Sequence, residues 1–196
     1  MSDRKEALRV FAETVTGAVL GAVWGVRVTG LERVPRAGAL IVACNHVSLL
    51  DPPLLGAAIA AARRPRFLGK KELFAVPGLG WFLRSSGVIP LDRGTADHGA
   101  MRAALATLEA GGSLAIFPEG TRARAGRTPA PKSGVAFLAA RTGAPVLPAK
   151  VVGTAEFPRR FPLEVRFGSP LPAPPAGGRE AAAAFARAVM AAVYAL

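Results

Sequence analysis

Between Val26 and Phe167 the chain alternates seven short apolar runs with segments of helical character, and few folds accommodate that alternation. The runs are Val26 to Thr29, Ala39 to Cys44, Arg66 to Leu68, Val88 to Leu91, Leu114 to Phe117, Val146 to Val152 and Leu163 to Phe167. Each has the length of a strand, and helix-like segments lie between them, which predicts an α/β domain with a largely parallel central sheet flanked by helices. In Asp97 to Ala110, residues Met101, Leu105 and Leu108 form one apolar stripe, and Gly111-Gly112 stops the segment. Asp51-Pro52-Pro53 reads as a helix start, with Asp51 as N-cap and proline in the first turn. Ser133 to Arg141 reads as a third helix closed by Gly143, and Arg179 to Ala195 as a C-terminal one behind a Pro and Gly cluster from Pro170 to Gly178. Arg122 to Pro131 reads as a basic loop.

A chain of 196 residues is long enough for one such domain and too short for two large ones. The expected organisation is an N-terminal membrane-interface helix over 1–26, the α/β domain over 27–170, and a linker with a C-terminal helix packed on the domain over 171–196. The apolar stretch from Val15 to Val26 falls short of the ~20 residues a spanning helix needs, so it is expected to be amphipathic or interfacial. No convincing cleavage site follows it, which makes a signal peptide the weaker reading.

Charge and hydropathy together narrow the partners. The 25 Lys and Arg against 13 Asp and Glu give a formal charge of +12, yet 51% of residues are hydrophobic and only 7% aromatic. Nucleic-acid binders combine basicity with polarity and stacking aromatics, so an anionic membrane surface is the better match and no nucleic acid is expected. A lone cysteine, Cys44, excludes an internal disulfide framework and a cysteine zinc motif, and it points to a reducing, cytosol-facing compartment. Two histidines, His46 and His98, are too few for a multi-histidine metal site, and no cofactor is expected.

Three segments carry candidate chemistry, each at the end of an apolar run. Asn45-His46-Val47-Ser48-Leu49-Leu50-Asp51 places a histidine and an aspartate five residues apart. On a continuous helix they would lie about 140° apart, so they pair only if the segment turns between them. Asp51 would then orient one ring nitrogen of His46 while the other accepts a hydroxyl proton. Asp51 as a plain cap and His46 as turn filler is the structural alternative. Ile116-Phe117-Pro118-Glu119-Gly120-Thr121-Arg122 offers a guanidinium fork suited to phosphate, with Glu119 able to orient that fork or a substrate hydroxyl, and Gly120 permitting close backbone approach. Gly87-Val88-Ile89-Pro90-Leu91-Asp92-Arg93 ends on a further arginine. Lys70, Lys71 and Lys132 add cations, of which Lys71 and Lys132 read as ordinary solvated charges.

Together with Ala144-Pro145-Val146-Leu147-Pro148, these segments resemble the four ordered blocks of the glycerolipid acyltransferase family, which includes bacterial 1-acylglycerol-3-phosphate acyltransferases. The resemblance spans Val28 to Gly153 and rests mainly on Asn45-His46-x-Ser48-x-x-Asp51 and Phe117-Pro118-Glu119-Gly120-Thr121-Arg122; Pro90 and Ala144 depart from the residues common in that family. It implies that His46 and Asp51 are the catalytic pair. It also implies that Arg93 and Arg122 contact the acceptor phosphate and that Glu119 and Gly120 shape the acceptor site, with Thr121 and Lys70 among the substrate-binding residues. The implied reaction moves a fatty acyl group from acyl-CoA or acyl carrier protein to the free sn-2 hydroxyl of lysophosphatidate, a lysophospholipid acceptor. The expected place is the cytoplasmic face of the cell membrane, as a peripheral or monotopic protein.

Two other readings are weighed against this one. Cys44 lies two residues before His46 and invites an acyl-cysteine mechanism, although a cysteine closing an apolar strand is more often a small buried residue. A non-catalytic basic membrane-binding or lipid-transfer protein on the same fold would account for the charge but has no use for a His-Asp pair.

Overall fold

The computed structural model describes residues 25–92, 97–123, 129–159 and 162–196, with scattered positions before Gly25. The proposed N-terminal helix over 1–26 therefore lies for the most part outside the described residues.

Seven strands form one sheet: β1 (Val26–Thr29), β2 (Leu40–Cys44), β3 (Arg66–Lys70), β4 (Ile89–Leu91), β5 (Ser113–Ile116), β6 (Val146–Val152) and β7 (Leu163–Phe167). Their order is β1-β7-β6-β2-β5-β3-β4, and every neighbouring pair is parallel except β6 with β7. Among the fully described segments, five α-helices accompany them: α1 (Asp51–Ile59), α2 (Leu79–Ser85), α3 (His98–Glu109), α4 (Gly134–Thr142) and α5 (Arg179–Tyr194). The expected largely parallel α/β domain is what the chain forms.

All five residues of β2 are buried, because helices cover both faces of the sheet. Its side chains alternate between two cores. Leu40, Val42 and Cys44 pack with Leu54, Leu55 and Ile59 of α1, while Ile41 and Ala43 pack with Ala100, Ala104 and Leu108 of α3, Val135 and Leu138 of α4, and Val189 of α5. The central strand β2 is an uninterrupted apolar run for this reason, whereas β1 and β7, towards the edge of the sheet, alternate apolar with polar residues.

The differences from the sequence reading are local. β5 ends at Ile116 instead of Phe117, and β3 runs on to Lys70. Helix α2, and the 3-10 turn Lys71–Ala75 before it, were not among the specified elements: Pro77, Gly78 and Gly80 obscure so short a helix. Asp51 is the first residue of α1 and not its cap; Leu50 holds the cap position without a side-chain bond. The Asp51 side chain is used elsewhere.

Candidate active site

Strands β2, β3, β4, β5 and β6 are mutually parallel, so the residues leaving their C-terminal ends share one edge of the sheet. From β2 the chain moves through α1 to β3 on one side, and from β5 it crosses to β6 on the other side of β2. Such a reversal leaves a crevice at the carboxyl ends of the strands. Ala43 of β2 is in register with Ile116 of β5 and Cys44 with Ala149 of β6, which brings the loops after all three strands together.

After Cys44 the chain leaves the sheet at Asn45, whose side chain mimics a ladder: its Oδ1 accepts from Val151 N–H at 2.8 Å and its Nδ2 donates to Val151 O at 3.0 Å. Held there, the loop turns sharply before α1. His46 Nδ1 lies 2.9 Å from Asp51 Oδ2, and that same oxygen accepts the backbone N–H groups of Val47 at 2.6 Å and Ser48 at 2.7 Å. Thr154, just beyond β6, donates its hydroxyl to Asp51 Oδ1 at 2.6 Å. The turn that the five-residue spacing requires is thus organised around Asp51 itself. A carboxylate that collects donors on both oxygens places the proton of the neutral imidazole on Nδ1 and leaves the Nε2 lone pair available to accept a proton, on a ring that is itself buried. Nε2 has no partner among the described residues.

Glu119 is 2% exposed and does not reach Arg122. Its Oε2 accepts the backbone N–H of His46 at 2.9 Å, and its Oε1 accepts the hydroxyl of Tyr194, from the end of α5. Burial raises the Glu119 carboxyl above its usual range, against the lowering effect of the bonds from Tyr194 and His46. In this arrangement Glu119 clamps the main chain of the histidine, a contact the sequence reading did not include. Ala123 N–H completes the clamp by donating to His46 O at 2.7 Å, and the Phe117 ring stacks on the imidazole with centroids 4.4 Å apart.

Gly120 adopts φ 72°, and a Cβ there would come within 2.6 Å of Lys132 Cε, so glycine is needed both for the turn and for the lysine stem above it. Thr121 and Arg122 are exposed beside it, and Arg122 has no ion-pair partner among the described residues. Lys132 is exposed, in keeping with a solvated charge, and it also borders a cavity of about 250 Å³. Leu68, Leu91, Met101, Ile116, Phe117 and Leu138 are in the wall of that cavity. Lys70 is exposed at the end of β3 and pairs with Glu72 at 3.2 Å. Arg93 lies outside the described residues.

Cys44 is completely buried on the α1 face, with its Sγ 3.5 Å from Asn45 Oδ1. Burial first, then the charge of Asp51, pushes its thiol well above the ordinary cysteine value, which opposes a nucleophilic thiolate.

The Acyltransferase family model matches residues 25–152. The chain belongs to the acyltransferase family. Among its relatives, a chloroplastic 1-acyl-sn-glycerol-3-phosphate acyltransferase of Brassica napus is 32% identical over 132 residues, 66% of this chain and 38% of that protein. The 1-acyl-sn-glycerol-3-phosphate acyltransferase of Bacillus subtilis is 27% identical over 164 residues, covering 82% of this chain and 81% of that one. A lyso-ornithine lipid O-acyltransferase of Pseudomonas aeruginosa is 43% identical over 97 residues, 49% of this chain and 35% of that protein. The crystal structure of the 1-acyl-sn-glycerophosphate acyltransferase PlsC of Thermotoga maritima superposes with a TM-score of 0.77 at 27% identity, over 100% of this chain and 82% of that one. The matched region spans 37 to 52% of the length of several of the curated relatives.

Asn45 stood in the motif but not among the expected site residues, and Thr154 and Tyr194 were missed altogether. Thr154 had a faint signal, a hydroxyl directly after an apolar strand at the carboxyl edge. Tyr194 had none.

Proposed function

We propose that this chain transfers a fatty acyl group from a thioester donor, acyl-CoA or acyl carrier protein, to the free sn-2 hydroxyl of lysophosphatidate. The observation that carries this reading is His46, fixed through Nδ1 by Asp51 and through its main chain by Glu119, with Nε2 unbonded among the described residues at the carboxyl edge of the sheet.

Nε2 takes the acceptor's hydroxyl proton as that oxygen attacks the thioester carbonyl; the C–S bond then breaks, and the imidazolium returns the proton to the departing thiolate. The product is an ester and a free thiol, and no acyl-enzyme is formed. Asp51 holds the tautomer and stabilises the transient imidazolium. Arg122, with Arg93, binds the acceptor phosphate, and Gly120 and Thr121 shape the turn that presents Arg122. The apolar cavity beside Phe117 suits the hydrocarbon of one substrate. Among the described residues no helix is long and apolar enough to cross a membrane. The reading accordingly seats the protein on the cytoplasmic face of the cell membrane, peripheral or monotopic, where a lysolipid presents its hydroxyl.

The test is thiol release from long-chain acyl-CoA, with and without lysophosphatidate, for the wild type and His46→Ala. Acceptor-dependent release that disappears in the variant is expected. Release that persists in His46→Ala would refute the assigned base, and acceptor binding with no release from either a CoA or a carrier-protein thioester would favour lipid transfer without turnover. The resemblance to a lyso-ornithine lipid O-acyltransferase supports a second acceptor, so a lyso-ornithine lipid belongs in the same assay.

Arg122→Lys separates charge from geometry, because lysine keeps the charge and loses the fork. The KM for lysophosphatidate is expected to rise with little change in that for the donor. An unaltered acceptor KM removes Arg122 from phosphate binding.

A further inference from the structure

Surface helices ordinarily turn apolar residues inward, and a cluster of large exposed ones marks an interaction site. Helix α2 and its approach do the reverse. Val76, Leu79, Trp81 and Phe82 are all exposed, Trp81 by 60%, while Gly80 and Ser85 are the buried positions of the helix. The arrangement is rigid: a Cβ on Gly80 would meet Phe74 O at 2.1 Å, so α2 is pressed against the 3-10 turn Lys71–Ala75, and Arg84 Nη1 ties the two by donating to Phe74 O at 3.0 Å. The backbone holds the aromatic side chains outward.

This face stands at the edge of the sheet that carries His46. The 3-10 turn starts where β3 ends, and β3 is parallel to β5 and through it to β2. Lys71 lies close enough to Asp97 to lower its carboxyl, and Asp97 lines the cavity beside Phe117. Leu49, in the loop between His46 and Asp51, is a further large apolar side chain at 68% exposure. The charges around the patch are of one sign on balance: Lys70, Lys71 and Arg84 flank it, and Glu72 is the one carboxylate in the sequence between Arg66 and Asp92.

We propose that the Val76, Leu79, Trp81 and Phe82 face is a docking surface for an anionic lipid bilayer, separate from the N-terminal segment, that sets the catalytic edge against the membrane. The occupant follows from the chemistry: an indole and a phenyl ring with lysines and an arginine beside them match the acyl and headgroup boundary of an anionic leaflet. The proposal rests on the acyltransfer reading only for its purpose, since an acceptor held in a bilayer requires the site to face it.

The chain has two tryptophans, Trp24 and Trp81, so Trp24→Phe in the full chain makes Trp81 the sole indole emitter. On phosphatidylglycerol vesicles its emission is expected to move to shorter wavelength and to be quenched by lipids brominated in the upper acyl chain. Trp81→Ser with Phe82→Ser is expected to lower vesicle partitioning about tenfold or more. The same variant should lose turnover of vesicle-borne lysophosphatidate while keeping it for a short-chain lysophosphatidate dissolved as monomers, which also shows that it folds. Trp81 emission that is unshifted and unquenched on protein bound to the vesicles overturns the proposal. So does Trp81 emission already shifted without lipid in a self-associated protein that Trp81→Ser renders monomeric, because the face is then a contact between copies. Absence of turnover with every acceptor would count against the acyltransfer reading alone, since quenching is read without it.

Discussion

His46 is held by groups from near and distant parts of the chain. Its ring is oriented by Asp51, five residues away; its N–H is held by Glu119, from the loop after β5; and Glu119 is in turn held by Tyr194 at the far end of α5. Tyr194→Phe removes a donor from a buried carboxylate, a change that costs about 1–3 kcal/mol when the group is left unsatisfied. We expect a lower Tm, and a lower kcat with little change in either KM, because Tyr194 acts on the position of His46 and not on substrate. An unchanged kcat would show that the clamp holds without it. Cys44→Ser should retain most of the activity: the side chain is shut in the core, and the reaction needs no sulfur nucleophile. Near-complete loss in a folded variant would revive the acyl-cysteine route.

At the scale of the element, α3 shows how a cap ties structure to the rim of the site. Asp97 occupies the cap position that Asp51 was expected to hold in α1: its Oδ1 accepts Ala100 N–H at 2.9 Å and its Oδ2 accepts Asp92 N–H at 2.8 Å. These two backbone bonds lower its carboxyl from the ordinary value, with help from Lys71. A carboxyl depressed in the folded state binds fewer protons there than in the unfolded chain, so stability rises with pH through that window. The contribution is complete above the unfolded pKa of about 3.9 and is lost as pH falls through the lower folded value. Asp97→Asn should therefore be less stable than the wild type near neutrality, by a margin that closes as pH drops below about 4. Denaturant midpoints across that range would measure it, and a margin independent of pH would assign the effect to packing.

At the scale of the whole molecule, a charge of +12 acts over a longer distance than any one contact. Raising ionic strength from about 0.1 M to about 1 M shortens the screening length from ~10 to ~3 Å. Binding to phosphatidylglycerol vesicles is expected to weaken over that range, whereas the burial of Trp81 and Phe82 is not screened and should leave a residual affinity. Complete insensitivity to salt in a flotation assay would deny the net charge a role in membrane binding.

What the sequence determined by itself was the architecture and the chemistry on offer. The central strand β2, buried on both faces, reads as a continuous apolar run, and β1 and β7 read as alternating ones, so all seven strands were legible, three of them to the residue: β1, β6 and β7. His46 and Asp51 were legible because both sit in one short loop, where pairing depends on a local turn. Only the tertiary structure decided what joins loops distant in the chain. Asp51 was read both as a cap and as the partner of His46; the folded loop forms the second arrangement, adding two backbone donors, and the segment after β6 adds Thr154. Glu119 was read as orienting either the Arg122 fork or a substrate hydroxyl, and parallel pairing of β2 with β5 delivers it to the main chain of His46. Tyr194 reaches the site from 75 residues beyond Glu119. Local pattern reports burial and turns, because those depend on neighbours a few residues away. Side-chain hydrogen bonds between loops depend on strand order, and strand order is set by packing across the entire sheet.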